Sequence, residues 1–591
     1  MTKDRETLEM WLRRFQRSEE YVRPQRDRGR ENYRLYKMFK TQGEKSYKHD
    51  IFVPYAFAFL EDLSAYFMLS VVASPNLYTI EPRWQSVSVE MCKALEAMVN
   101  WAVLEDRAEF ALEVEEMLKH LNLYNSSYLI NYPKMMEVDS RHPETGDVVM
   151  ADGKSVKLDV FDHLYLDAPH PFLMFPEPGP KRLSRAGWLI KRSFETFDTL
   201  KAWEAKGIYK DLGDLTDGDK TSEIDPIESL LSEIGLGTIE YNYNKIEILD
   251  CFEDGDVVTI ANRRVVIRDT RKEVLRPFSF DLPCLDCRLA GAPGEFDGMG
   301  AMEVIKPLNK ELNTLRSQRR DNVALVLNKV FKYDMLAGEV DLTTLYSAPG
   351  NVIVMQGDCI SELETQDILA SSYKEEQSLI YDLQSVLSFW DYGRGATPRR
   401  KETATGIIRL QQAAQARNEW HLRKLDAYVL QPLCRRIITY LRESLPKSDA
   451  MLIVGKELVS GVEEFYDLDV KDLKRLVHIR PMTDSISSIK EIDTNMFLQA
   501  FDRLIRMPQQ VNTTALIKVL LQKLGQRNIK EIISAVPTAA GQDATSQAIA
   551  KAQGGDRGGA EAEQMEEILG GAPGGASKLP NSPVSKLGEG G

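Results

Sequence analysis

Apolar positions recur at helical spacing through the charged stretch 3–40 and again through Pro54–Asn100, so both read as helix. The most apolar run, Pro54–Ala73 (PYAFAFLEDLSAYFMLSVVA), is interrupted by Glu61 and Asp62. It therefore reads as a buried helix rather than a membrane span or a membrane-surface helix. Near Val148–Val160 the period changes to that of strands, with Asp152-Gly153 as a hairpin turn. The stretch DHLYLDAPHPFLMFPEPGP (162–180), rich in proline and aromatics, reads as an irregular connection. Thr196 is placed to start a short helix through Leu200 and Trp203, and Gly207 to end it. Ile246–Leu249, Val257–Ile260 and Arg264–Arg268 read as strands of a meander, which makes the first half α+β.

The second half is more helical. From Met302 to about Leu327, at about 100° per residue, Val304, Leu308, Leu312 and Leu315 share one arc. Lys306, Lys310, Arg316 and Arg320 share the opposite one. A short β-like stretch ends in Pro349-Gly350 and NVIVM, and a second helix spans roughly Ser371–Trp390. The loop GRGATPRRKETATG (393–406) follows, and then a helical pattern to Leu445, about 60 Å of helix at 1.5 Å per residue, which Pro432 should kink. Residues 451–480 read as strand-like, with short helices near 490–506, 513–524 and 528–534. From Lys551 the chain is Gly-rich and poor in large apolar side chains, which predicts a disordered tail.

Composition narrows the function. The chain has 591 residues, 43% hydrophobic and 28% charged, and its net charge is −14. An ordinary non-specific DNA binder is basic, because its affinity comes from neutralising phosphates, so nucleic-acid contact here has to be local or weak. MTKDRETLEMWLRRFQRSEE contains no apolar signal core, so no export is expected, and the sequon Asn125-Ser126-Ser127 then carries no meaning. Cys284 and Cys287 form a CxxC without a second pair nearby to complete a zinc site. His163 and His170 are the closest histidines and read as loop residues rather than metal ligands.

The 393–406 loop carries glycines, threonines and four cations, Arg394, Arg399, Arg400 and Lys401, as a phosphate site would. It lacks GxxxxGK[ST], however, and Glu402 follows Lys401 where a magnesium-binding hydroxyl would stand. Neither HExxH nor GxSxG occurs. The expectation is a protein that is not an enzyme, with no cofactor and no metal. The basic face of the 302–327 helix fits either a solvated surface or one that meets phosphates.

Taken together, GMGAMEVIKPLNKELNTLRSQRRDN (298–322), APGNVIVMQGD (348–358) and ETATGIIRLQQAAQARNEWHLRKLDAYVLQPL (402–433) resemble portal (head–tail connector) proteins of tailed double-stranded DNA phages, most like the short-tailed type. FVPYAFAFLEDLSAYF (52–67) and WLIKRSFETFDTLKAWEAKGIY (188–209) fit more loosely, and the resemblance runs to about residue 540. It implies an α+β, predominantly helical portal fold assembled into a ring, usually a dodecamer, at one capsid vertex of the virion, put together in the host cytoplasm.

In family terms residues 1–299 are the wing, 300–327 and 366–392 the stem helices, 328–365 the clip, and 393–403 the tunnel loop. Residues 404–446 would be the long wing helix, 447–486 the wing's return strands, 487–550 the helical crown and 551–591 the tail. Implied partners are other copies of the chain, double-stranded DNA in passage without sequence preference, terminase, the major capsid or scaffolding protein and a tail adaptor, with no membrane. Arg394, Arg399, Arg400 and Lys401 would then face DNA from the tunnel loop, and Lys306, Lys310, Arg316 and Arg320 from the stem. The rival readings are another head–tail adaptor or scaffold-like ring protein and, more remotely, a nucleic-acid phosphotransfer enzyme using the 393–406 loop.

Overall fold

The computed structural model describes residues 2–482 except 40–48, 73–75, 84–86, 106–107, 140–149, 152–153, 156, 211, 215–224, 236–244, 274–278, 292, 328–330, 335, 337, 342–354, 357–359, 363–368, 388–417 and 456–457. The chain divides into two units, Met1–Ile486 and Ser487–Gly591. The expected crown (487–550) and tail (551–591) fall in the second and lie outside the described residues. The first unit is mixed α+β, with more helix than strand.

In chain order it opens with α1 (Thr2–Tyr36), α2 (Tyr55–Val72), β1 (Tyr78–Pro82), α3 (Val89–Leu104) and α4 (Phe110–Tyr124). Strands β2 (Ser127–Asp139), β3 (Lys157–Asp167), β4 (Met174–Pro176) and β5 (Trp188–Thr196) precede α5 (Phe197–Ala205) and α6 (Pro226–Glu233). Then come β6 (Lys245–Glu253), β7 (Asp256–Ala261), β8 (Val265–Asp269) and β9 (Cys284–Cys287). The long helices α7 (Ala301–Leu327) and α8 (Leu369–Leu387) follow. After them stand α9 (Gln431–Ser444), α10 (Lys447–Val454), α11 (Val459–Asp467), α12 (Val470–Leu476) and β10 (Val477–Pro481).

The expected meander is present as β6, β7 and β8, extended by β5 and β4 into a five-stranded antiparallel sheet. One face receives α1, whose Trp11, Phe15 and Val22 pack on Phe175, Trp188 and Ile190. Residues at the alternate positions, Ile246 and Ile248, face Leu200 and Leu212 instead, as the period of two along a strand requires. Thr196 caps α5 through its side chain, which accepts from the Thr199 amide, and Gly207 takes a positive φ of 76° just beyond the helix. The helix α2 is the one among the described residues long and apolar enough to cross a membrane; half of it is buried, with Phe59, Leu60, Leu63 and Phe67 in the main core.

Two expectations need correction. Residues 162–167 are the second half of β3, paired with β2, and 174–176 form β4, so 162–180 is no irregular connection. Leu164, Leu166 and Ala168 are buried at alternate positions, a period-two signal that the prolines at 169 and 171 obscure. Residues 447–476 are three helices rather than strands, and only β10 is extended, paired with β1. Val462 and Phe465 stand three apart and fill the core, a helical spacing that the β-branched content of the region hides.

A widened turn precedes Pro432. Residues 426–430 are π-helical, and the Gln431 amide donates to the Asp426 carbonyl. The wider turn relieves the clash between the proline ring and the carbonyl four residues back. The Leu430 carbonyl is satisfied by the Tyr78 hydroxyl at 2.9 Å.

The motif GMG explains how α7 is seated. A Cβ at Gly300 would stand 2.6 Å from the Asn122 carbonyl oxygen and 2.8 Å from that of Leu121, at the end of α4. The Gly300 amide donates to Asn125 Oδ1 at 2.8 Å. Asn125 is itself buried, in the left-handed region at φ 69°, so the sequon asparagine holds the entry of α7 and is closed to a glycan.

A second close approach joins α11 to α3, where a Cβ at Gly461 would lie 2.6 Å from the Glu90 carbonyl. Gly461→Ala should therefore destabilise the fold by roughly 1–3 kcal/mol, since backbone has to move. Gly213→Ala, whose Cβ meets nothing within 4 Å, should be close to neutral; urea unfolding of the two variants checks the contrast.

Where α1, α4 and the 171–173 turn meet, buried His120 and half-buried His170 have ring centroids 5.1 Å apart, and Tyr124 stands 4.5 Å from His170. Desolvation pushes His120 down to about 4. Burial first, and then the charges of His120 and Arg26, pushes His170 well below its usual value. Both are held neutral, so their stabilising contribution is complete above about pH 6.5 and is lost as pH falls toward about 4. His120→Gln should flatten part of the acid-side fall of thermal stability in that window, measured by melting at a series of pH values.

Candidate nucleic-acid interface

Lys306, Lys310, Arg316 and Arg320 lie on α7, and its surroundings decide what they can meet. The face that α7 buries takes in part of the leucine arc, with Leu312 fully buried and Leu308 and Leu315 packed on the core, but it is rotated away from Val304. Met302, Ile305, Asn309, Leu312, Asn313 and Ser317 are buried, whereas Val304 is 38% exposed. The helix is rotated because its polar positions have backbone to satisfy. The Val53 amide donates to Asn313 Oδ1 (2.8 Å), the Ile51 amide to Ser317 Oγ (3.0 Å), and the His49 amide to Asp321 Oδ1 (2.9 Å). His49 Nδ1 also meets Asp321 at 2.8 Å. Asn309 continues this row one turn earlier, fully buried, and its amide atoms have no hydrogen-bond partner among the described residues.

The cations therefore flank a buried polar row instead of standing opposite a buried apolar arc. Lys306 reaches Glu31 (3.1 Å) and Glu303 (3.3 Å), and Lys310 also pairs with Glu31. Asn32, next to Glu31 on α1, donates to the Leu123 carbonyl (3.0 Å) and to Glu303 (3.1 Å), so α1, α4 and α7 are laced together here. Arg316 and Arg319 both close on Glu376 of α8, Arg316 Nε at 2.7 Å. Arg320 is exposed, and no ion pair reaches it among the described residues. Three of the four proposed stem cations are thus engaged with carboxylates, and Arg320 remains for a ligand.

The same contacts define how the segment folds back. Arg316 meets Glu376 and Arg319 lies over the Tyr373 ring (4.3 Å). Farther on, Phe331 pairs with Glu362, Tyr333 with Ile360, and Val340 with Met355. Each step forward on the first limb is matched by a step back on the second, so the described residues of 301–387 form an antiparallel hairpin, helical at its base and β beyond. Arg394, Arg399, Arg400 and Lys401, the predicted tunnel-loop cations, lie outside the described residues.

The remaining candidate chemistry is structural. Cys284 and Cys287 sit on β9, pack into different core clusters, and are each pushed up to about 12 by burial, so they are inert thiols. His163 meets Asp162 at 3.0 Å, and His170 accepts from the Phe172 amide at 3.2 Å. Among the described residues no group of His, Cys, Asp and Glu could hold a metal ion.

The carboxylates that engage the cations, Glu31, Glu303 and Glu376, escaped sequence reasoning. Glu303 alone carries a local signal, standing three residues before Lys306 on one helix. The others pair across 57 to 279 positions and follow only from the tertiary register.

Glu376 illustrates the energetics. Burial raises its pKa, but the hydrogen bonds from Arg319 and Arg316 outweigh that and leave it below the usual 4.5. Glu31 is lowered too, chiefly by the hydrogen bond from Lys310. Depressed carboxylates stabilise the fold above about pH 4.5 and cease to do so as pH falls through their lowered values. Glu376→Gln should cost roughly 1.5–3 kcal/mol at neutral pH. That gap should close in acid, as read from melting curves of variant and parent at both ends.

No family model and no curated protein sequence matches this chain.

Proposed function

We propose that this chain is the portal subunit of a tailed double-stranded DNA phage, a ring-forming channel component through which the genome is packaged and ejected. The observation that carries the reading is the antiparallel hairpin of 301–387. Two long helices, α7 of 27 residues and α8 of 19, bracket a β ribbon and rise from an α+β body. A stem needs length and stiffness more than a core of its own, and α7 extends about 40 Å. The resemblance at 298–322 falls on the first helix of this hairpin, and the described part of 402–433, residues 418–433, is helical; most of 348–358 and all of 402–417 lie outside the described residues.

The electrostatics agree with a conduit. A net charge of −14 disfavours lasting DNA contact, and the engaged cations of α7 leave little to grip phosphates. The tunnel-loop cations Arg394, Arg399, Arg400 and Lys401 are the proposed points of brief contact, with terminase, capsid or scaffolding protein and tail adaptor as the proposed protein partners.

Purified protein should appear as closed rings with a central opening by negative-stain imaging and mass measurement. A strictly monomeric or two-fold dimeric particle at micromolar concentration would sink the reading. Replacing Arg399, Arg400 and Lys401 together by Ala should leave rings of normal size and melting temperature, since exposed ion pairs are worth only about 0–1 kcal/mol each. The same variant should package or retain less DNA in an assembled-capsid assay.

A further inference from the structure

Two contiguous hollows of about 560 and 380 Å³ share Arg182, Asp286 and Tyr428 and form one groove between β9, the 183–185 turn and the helix around the π-turn. Its lining carries six cations, Lys181, Arg182, Arg288, Lys424, Arg435 and Arg436, against three carboxylates, Asp281, Asp286 and Glu295. Among the described residues only Arg288 of these has a carboxylate partner, Asp286 at 3.0 Å. Arg436, largely buried, uses its guanidinium on Asn131 Oδ1 (3.3 Å) and the Cys284 carbonyl (3.1 Å). Lys424 donates to the Leu289 carbonyl at 2.9 Å, and Arg182 lies over the Tyr428 ring at 5.0 Å. Burial holds both Lys424 and Arg436 below their ordinary pKa values, for Arg436 in spite of the nearby charges of Tyr440, Cys284 and Asp281.

The floor is apolar, with Leu183, Phe280, Leu282, Leu285 and Pro432. Phosphates of a nucleic acid would find the rim but would bring nothing for such a floor. The groove suits an acidic element that also presents an aliphatic side chain.

The same chain carries such an element. On α4 and its N-terminal cap, Glu109, Leu112 and Glu116 fall on one arc at 100° per residue. Leu112 is 63% exposed, and Glu109 and Glu116 are exposed beside it. Burial and then the charges of Asp167, Glu116 and Glu109 raise the neighbouring Glu113, a sign that these carboxylates crowd one another. The nearby Lys119 is engaged with Glu115 at 2.7 Å and Glu61 at 3.7 Å.

We infer that the Glu109–Leu112–Glu116 ridge of one copy seats in the Arg182–Lys424–Arg435 groove of a second copy of this chain. Leu112 meets the apolar floor and the carboxylates meet the unpaired rim cations. The two surfaces lie on different elements, so the contact is head to tail, the type that generates rings. This inference rests on the ring reading and adds which faces make the contact.

Charge reversal tests it, using the full chain and mass measurement across a dilution series. The groove variant is Arg182→Glu with Arg435→Glu, and the ridge variant is Glu109→Lys with Glu116→Lys; all four positions are exposed, so circular dichroism and melting should match the parent. Each variant alone should associate at least roughly tenfold more weakly than the parent, because like charges then face each other. Mixing the two should restore assembly, with copies alternating, since each reversed face then meets its complement. A monomeric parent would overturn the ring reading and this contact together. A ring-forming parent whose reversal variants assemble equally well, or whose mixture shows no rescue, would overturn the contact alone. The contact also fails if the groove variant assembles normally yet loses binding of a fluorescent oligonucleotide that the parent binds, since the groove would then belong to nucleic acid.

Discussion

A match of two periodicities fixes the long hairpin to its body. Four residues of α-helix advance about 6 Å, and two residues of extended chain advance about 6.6 Å. Side chains at 313, 317 and 321 on α7 can therefore receive the amides of 53, 51 and 49 one after another. The segment 49–53, which pairs with no strand among the described residues, thereby has its amides at 49, 51 and 53 satisfied. The cost is that the buried side of α7 is partly polar, with Asn309, Asn313 and Ser317 among Met302, Ile305 and Leu312, and the rotation of the helix follows from it. Val304 is turned outward and the lysines are brought alongside Glu31.

The two ends of this attachment use different physics. At the entry of α7, steric exclusion rules: Gly300 lies against the carbonyls that end α4, and no side chain fits between them. Farther along, charge-assisted hydrogen bonds to Glu376 hold α8 against α7, with Leu379 and Leu383 buried below. Directional contacts of this kind hold a register more strictly than apolar packing does, which suits a hairpin whose β ribbon must stay aligned with its helical base.

What the sequence revealed was whatever the local chain decides by itself. The cap at Thr196, the stop at Gly207, the meander strands and the limits of α7 all depend on neighbours within a few positions, and the structure has them. What it concealed depends on distant partners. The prolines of 162–180 disguised a strand whose mate is β2, and the β-branched residues of 451–476 hid helices that form against α3. The cations of α7 were legible as a stripe, but apart from Glu303 on the same helix their carboxylates come from α1 and α8, which no periodicity within α7 can announce.

The pairing of Lys306, Lys310 and Arg316 has a consequence for salt. A lysine facing water that meets a phosphate frees a condensed counterion from the polyanion, and that release makes DNA affinity fall steeply with ionic strength. A lysine already matched to a glutamate must give up that partner first, so the exchange liberates almost nothing. Along this face a polyanion would gain about one counterion's worth of entropy, from Arg320, rather than four. Contact there would be weak at every ionic strength and nearly indifferent to it.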